Sequence, residues 1–196
     1  MKKLLFFLLT LCLPFALTAQ EAETLFGKGS RVGGFGAPIF ELSEIDNQSG
    51  TAFGGGGAVV VNDFFLGGFG VGSNFANIDL TDGRYNINFG YGGLWLGYAP
   101  LGHRVVHPYI STRIAWGGIA LSKTREEDWD FGDWDNVFVF VPAAGVEFNL
   151  FSWFRVGATL GYRMVNDVDM QEFGLTDDDF SGLTGNFILR FGGFGY

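Results

Sequence analysis

Phe154 to Asn166 reads FRVGATLGYRMVN, and the fold turns on how that stretch is read. Every second residue is apolar or aromatic: Phe154, Val156, Ala158, Leu160, Tyr162 and Met164. The residues between are charged, polar or very small: Arg155, Gly157, Thr159, Gly161 and Arg163. A period of two places these sets on opposite faces of one extended strand. In a soluble sandwich the apolar face is the core and charges scatter over the wetted side. Here the arginines share their face with glycine, as in a crowded interior, and the large side chains take the other face. The inverted pattern predicts a strand of a membrane-spanning barrel.

The N-terminus points to export. Lys2 and Lys3 form a basic start, Leu4 to Leu17 an apolar run, and Ala19 a small residue before a cut at Gln20. That run is too short for a spanning helix, so residues 1–19 are expected to be a removable signal peptide and residues 20–29 a periplasmic lead. Without Cys12, the remaining 177 or so residues contain no cysteine, hence no disulfide and no thiol nucleophile. Removing two lysines leaves 10 basic against 21 acidic residues, a net charge of −11. That balance argues against nucleic acid, whose phosphates call for basic patches. With 32 glycines, 23 phenylalanines and no helical period, the rest of the chain (30–196) reads as one all-β domain.

Eight strand-like segments follow: 31–42, 52–61, 64–77, 84–99, 104–121, 136–149, 154–166 and 183–196. Three connections are short, at Asn62-Asp63, 100–103 and 150–153. Four are longer: 43–50, 79–83, 122–135 and 167–182. Alternation of short turns and longer loops, with an even strand number, fits an antiparallel up-and-down transmembrane β-barrel. In the fifth segment Val106, Pro108, Ile110, Thr112, Ile114 and Trp116 are expected outside, with His107, Tyr109, Ser111, Arg113, Ala115 and Gly117 inside. In the sixth, Phe138, Phe140, Ala144, Val146, Phe148 and Leu150 are expected outside, with Gly145, Glu147 and Asn149 inside. The fourth segment starts with Tyr85, Ile87, Phe89 and Tyr91 on the apolar, outward set. It switches parity to Leu94, Leu96 and Tyr98, which predicts a bulge at Gly92-Gly93. A similar shift is expected at Gly192-Gly193, and the register of Gly54 to Gly57 is left unspecified. Trp95, Tyr98, Trp116, Trp153, Phe154, Phe194 and Tyr196 fall near strand ends, where aromatic girdles meet the headgroups.

Taken together, these segments, the sorted loops and the terminal aromatic resemble the small eight-stranded outer-membrane β-barrels of the OmpA and OmpX type. The resemblance covers about residues 30–196 and is one of architecture. It implies a Gram-negative outer-membrane location, contact with outer-membrane lipid, and assembly machinery that reads Phe194 and Tyr196. Gly192 and Arg190 depart from that C-terminal pattern.

Chemistry could reside in three places. Inside, Arg31, Glu41, Arg113, Glu147, Arg155, Arg163 and Arg190 are the projected lumen charges. Isolated buried charge is costly, so Glu147 and at least two arginines are expected to form one network. An eight-stranded barrel is barely wide enough for its own side chains, which favours a plug over a narrow arginine-lined channel for small anionic solutes. Outside, the loop carrying Asp128, Trp129, Asp130, Asp133, Trp134 and Asp135 could meet a partner or glycan. Its carboxylates could also hold a divalent cation, although a solvated loop is the plainer reading. Catalysis has little support: His107 and Ser111 share a face but stand roughly 13 Å apart along a strand, beyond the reach of a nucleophile and base. No cofactor motif is present, because the G-x-G runs lie within strands. The leading expectation is a non-enzymatic barrel with a structural or surface-interaction role through acidic loops. The alternatives are the narrow channel and a secreted, ligand-binding soluble barrel.

Overall fold

The computed structural model describes residues 29–45, 48–80, 83–123 and 134–195. Eight strands run in order: β1 (Val32–Ile45), β2 (Gln48–Val61), β3 (Phe64–Leu80), β4 (Gly83–Tyr98), β5 (Val106–Lys123), β6 (Trp134–Phe151), β7 (Phe154–Asn166) and β8 (Gly182–Gly193). Each pairs antiparallel with its neighbour, and β8 closes on β1, so the sheet is a closed barrel without free edges. Closure matters because an open edge in hydrocarbon would leave backbone groups unpaired.

The strand of the opening stretch matches the expected bounds. Arg155, Gly157, Thr159, Arg163 and Val165 are buried, whereas Ala158, Leu160, Tyr162 and Met164 are exposed. On β5, Val106, Ile110 and Trp116 face out, and His107, Tyr109, Ser111 and Arg113 are buried inside. Ten residues separate Val106 from Trp116. At about 3.3 Å each and a tilt near 40° they span about 25 Å, the height of an apolar membrane band. Aromatics mark its edges. At the short-turn end Phe151 stacks on Trp153 at 5.6 Å, Phe154 on Phe191 at 4.7 Å and Phe64 on Tyr98 at 4.5 Å. Toward the other edge Trp116 meets Phe138 at 5.9 Å and Phe40 meets Phe53 at 5.0 Å.

β4 corrects the sequence reading. Its pairing with β3 and β5 runs through Gly92-Gly93 without a break, so there is no bulge there. The register shift on β3 falls instead between Phe75 and Ile78. Tyr85, Ile87, Phe89 and Tyr91 point inward, and Leu94 and Tyr98 point outward on the same regular strand. The apolar residues change faces because the medium changes. Beyond the band, toward the long-loop end, the outer wall carries the polar Asn74, Asn86, Asn88 and Asn136, and the apolar side turns in. Ile87, Ile119, Leu121, Val137, Val139 and Val165 fill that half in the manner of an ordinary soluble core. The barrel is inverted where it meets lipid and conventional above it.

Other differences follow from packing. The Gly192-Gly193 shift is absent; β8 keeps one register with β1 down to Gly193. Trp95 and Phe194 lie inside rather than in a girdle, both nearly inaccessible, because the glycine-rich wall leaves room for large rings. Gly97 shows this directly: a Cβ there would run into the Phe65 ring. The first and second long loops are shorter than expected, since the β1–β2 ladder reaches Ile45 and Gln48 and the β3–β4 ladder reaches Leu80 and Gly83. Asn62 takes a left-handed φ of 57° in the β2–β3 turn, a conformation that asparagine tolerates.

Candidate functional site

The interior is built in layers. At the short-turn end the β4–β5 connection folds under the lumen, where Gly102 is buried. Asn149 Nδ2 donates to the carbonyls of Gly102 at 2.7 Å and Arg104 at 2.6 Å. Phe194 follows the last strand inward, lies 3.7 Å below the Arg155 guanidinium and packs on Phe35.

Above this floor sits the first charge cluster. Glu147 pairs with Arg155 Nη1 at 3.0 Å and with Arg190 Nη1 at 2.7 Å. His107 Nε2 lies 3.4 Å from the same carboxylate, and its Nδ1 faces the Arg104 carbonyl at 3.2 Å. The Arg190 guanidinium is also ringed by Phe35, Phe65, Trp95 and Tyr109, with centroids 4.3–5.1 Å away. These faces take up the charge that one carboxylate shared by two arginines leaves over.

The second cluster is centred on Glu41, which receives Arg113 Nη1 at 3.0 Å, Arg163 Nη1 at 3.4 Å and the Tyr91 hydroxyl at 2.7 Å. Arg113 also donates to Asn186 Oδ1 at 3.0 Å and lies over the Phe69 ring. Arg163 reaches higher. It donates to Ser43 Oγ at 3.1 Å and to the carbonyls of Glu44 at 3.0 Å and Phe180 at 2.7 Å.

The Phe180 bond ties the charge network to the β7–β8 connection, which carries a 3-10 turn (Gln171–Phe173) and a helical turn, α1 (Asp177–Phe180). Val168, Met170, Leu175 and Phe180 are buried, and Phe180 packs on Phe89 at 5.5 Å. This connection therefore continues the core of the upper half and closes it as a lid. Its acids do structural work. Asp179 Oδ2 accepts from Thr176 N and Oγ1 in a capping box, and Asp177 Oδ1 accepts from Val168 N at 2.8 Å.

Of the residues singled out in the sequence, Glu41, Arg113 and Arg163 converge in one cluster, and Glu147, Arg155 and Arg190 in the other. Arg31 is a correction. It lies just before β1 at the barrel rim, where Nη2 meets Asp63 Oδ1 at 3.3 Å, outside the lumen clusters. Asp128, Trp129, Asp130 and Asp133 lie outside the described residues, as does Tyr196. Trp134 begins β6, so it and Asp135 belong to the strand rather than a loop. Asp135 Oδ1 accepts from Asn136 N and Oδ2 from Asp169 N, which stitches β6 to the lid. Among the described residues no group of three or more His, Cys, Asp or Glu could hold a metal ion. Sequence reading placed Tyr109 inside but missed Tyr91, Asn186 and the other three rings around Arg190, Phe35, Phe65 and Trp95. Their signal was weak, because inward aromatics and lipid-facing aromatics have the same period of two.

These features define the class: an eight-stranded transmembrane β-barrel with a filled interior and the fold of the small outer-membrane barrels. Among solved structures the chain is similar to Neisserial surface protein A, NspA, at a TM-score of 0.52 and 11% identity, covering 84% of this chain and 96% of that one. It also matches Ail, the attachment invasion locus protein of Yersinia pestis, at a TM-score of 0.46 and 16% identity, covering 83% of this chain and 95% of that one. A second structure of Ail, in complex with the heparin analogue sucrose octasulfate, matches at 0.45 and 16%, covering 83% and 96%. No protein-family model and no curated sequence matches the chain.

Proposed function

We propose that this chain is a closed, non-enzymatic barrel of a Gram-negative outer membrane, exported through its N-terminal segment and acting at its long-loop end. The observation that carries the reading is the interior. Two charge clusters, an aromatic layer between them, a floor at residues 100–105 and the β7–β8 lid occupy the barrel from end to end. Near Arg155, Arg190 and Phe194 lies a cavity of about 10 Å³, room for one water. A packed interior leaves the exposed end and the outer wall as the working surfaces. A surface protein among the chains of similar fold agrees with that assignment. The exposed Asp167, Asp169, Glu172 and Asp178 of the lid give that end a negative surface for a partner. Phe194 is enclosed once the barrel closes, so assembly machinery would read Phe194 and Tyr196 before closure.

Cell fractionation with a heat-shift gel tests the location. A membrane barrel stays in the outer-membrane fraction and migrates as a compact band until boiled; recovery in the soluble periplasm would end the proposal. Planar-bilayer recording tests the closed state, for which flat traces are expected, whereas reproducible single-channel steps would favour the anion channel.

A further inference from the structure

We propose that a glycine-floored groove on the outer wall of β2–β5 holds one acyl chain of a lipid from the leaflet at the long-loop end. Two rungs of the barrel build the floor. Across one, Phe53, Gly72, Gly90 and Gly118 are successive partners; across the next, Gly55, Gly70, Gly92 and Trp116. The alternation of each strand turns these positions outward. The exposed rings of Phe53 and Trp116 stand three strand spacings apart, roughly 14 Å, as walls to a hollow of about 760 Å³.

Nothing within the protein requires the centre of the floor, Gly70, Gly72 and Gly90, to be bare. A Cβ at Gly70 or Gly72 would meet no atom within 4 Å, and one at Gly90 would make ordinary contact at 3.6 Å. Gly55 and Gly92 are exceptions, since a Cβ would press on the Ala37 carbonyl at 3.3 Å and on the Phe69 carbonyl at 2.8 Å. The inward glycines behave differently: at Gly56, Gly97 and Gly117 a side chain would collide with a neighbouring ring or strand. Glycine weakens a strand, so outward glycines with free space above them, as at Gly70, Gly72 and Gly90, cost stability and gain no packing in return. The space they leave is open to an outside occupant.

Position identifies that occupant. The groove lies on the lipid-facing wall at the upper edge of the apolar band, with Trp116 and Phe138 in its last apolar rung, Asn136 beside Gly118 at the end of its upper rung, and Asn74 and Asn88 just above. Asn74 Nδ2 already donates to Asn88 Oδ1 at 2.6 Å, forming a polar lip rather than a charged one. A lipid fits both parts, its chain over the apolar floor and its headgroup at the amides. A second barrel presents a convex wall and would bridge the hollow without filling it.

The test refolds the barrel into vesicles of dioleoylphosphatidylcholine, extracts it in mild detergent and counts bound lipid by native mass spectrometry. The wild-type chain is expected to keep one phospholipid more than Gly70→Leu/Gly72→Leu, whose leucines fill the hollow without steric conflict. Gly36→Leu adds the same side chain in open space on β1, outside the groove, and should keep the wild-type lipid count. Trp116→Ala, which removes one wall, should lower occupancy at least several-fold and decides the matter if the double variant does not give the compact gel band. Equal lipid counts in wild type and the groove variants would overturn the proposal. So would a wild-type dimer that the leucines abolish, since the occupant would then be a second copy.

Discussion

Replacing Glu147 by glutamine keeps the shape of the lower charge cluster and removes its one negative charge. Arg155 and Arg190 both lean on that carboxylate, at 3.0 and 2.7 Å, from side chains that are almost wholly buried. Removing one partner of a buried ion pair costs about 3–5 kcal/mol, because an uncompensated charge stays behind. Two features hold the cost to the lower part of that range. Arg190 keeps the four aromatic faces around it, each a cation–π contact of about 0.5–2 kcal/mol, and Arg155 keeps the Gly102 carbonyl and the Phe194 ring. The expected loss is about 3 kcal/mol, a large share of the roughly 5–15 kcal/mol that holds a typical domain. Urea unfolding in phospholipid vesicles, read by the heat-shift gel, measures it. Adding Arg190→Met should recover part of the loss, because the second change removes a charge the first stranded. A loss under about 1 kcal/mol would mean that water reaches both arginines and that the interior is not sealed, which would refute the packed-interior reasoning.

Three further outcomes follow from the same geometry. Arg163→Leu takes donors from Glu41, Ser43 and the Glu44 and Phe180 carbonyls; stability should fall by about 3 kcal/mol, and limited proteolysis should cut within 167–181 sooner than in wild type. Phe180→Ala empties the lid's contact with Phe89 and should cost about 3 kcal/mol in the same unfolding assay. Leu160→Arg places a charge on the outer face of β7, where Leu160 is 76% exposed, and should cost about 2–4 kcal/mol in vesicles if that face meets hydrocarbon.

How far the sequence could be read depends on what each residue's neighbours were. β7 was legible to its ends, because Arg155 and Arg163 fall inside and Leu160 and Tyr162 outside within a single medium. The short turn at Asn62-Asp63 was legible for a local reason: asparagine accepts the left-handed backbone the turn needs. β4 was not, because a period of two reports alternation and not which side is lipid. Its parity change was read as a slip of the backbone, when it was a change of solvent along a regular strand. Six of the projected lumen charges lie on inward faces of strands, whereas Arg31 precedes β1 and meets Asp63 at the rim. Their division into two clusters was hidden in long-range pairings such as Glu41 with Arg163, which no local pattern carries. The inward place of Trp95 and Phe194 was hidden for the same reason, as Trp95 packs on Phe35 and Phe65 and Phe194 on Phe35, rings brought in by other strands.

The central claim is that one regular strand passes from lipid to water between Leu94 and Asn88. Single cysteines test it directly, because the chain from residue 20 onward has none of its own. Asn88→Cys and Leu94→Cys both point outward on β4, six residues apart, in barrels held in lipid nanodiscs. With a water-soluble maleimide, the cysteine at 88 should react within minutes and the one at 94 only after unfolding. Equally fast reaction at the two positions would mean that water bathes the whole wall and that the barrel is a soluble one, and equally slow reaction would mean that lipid covers both.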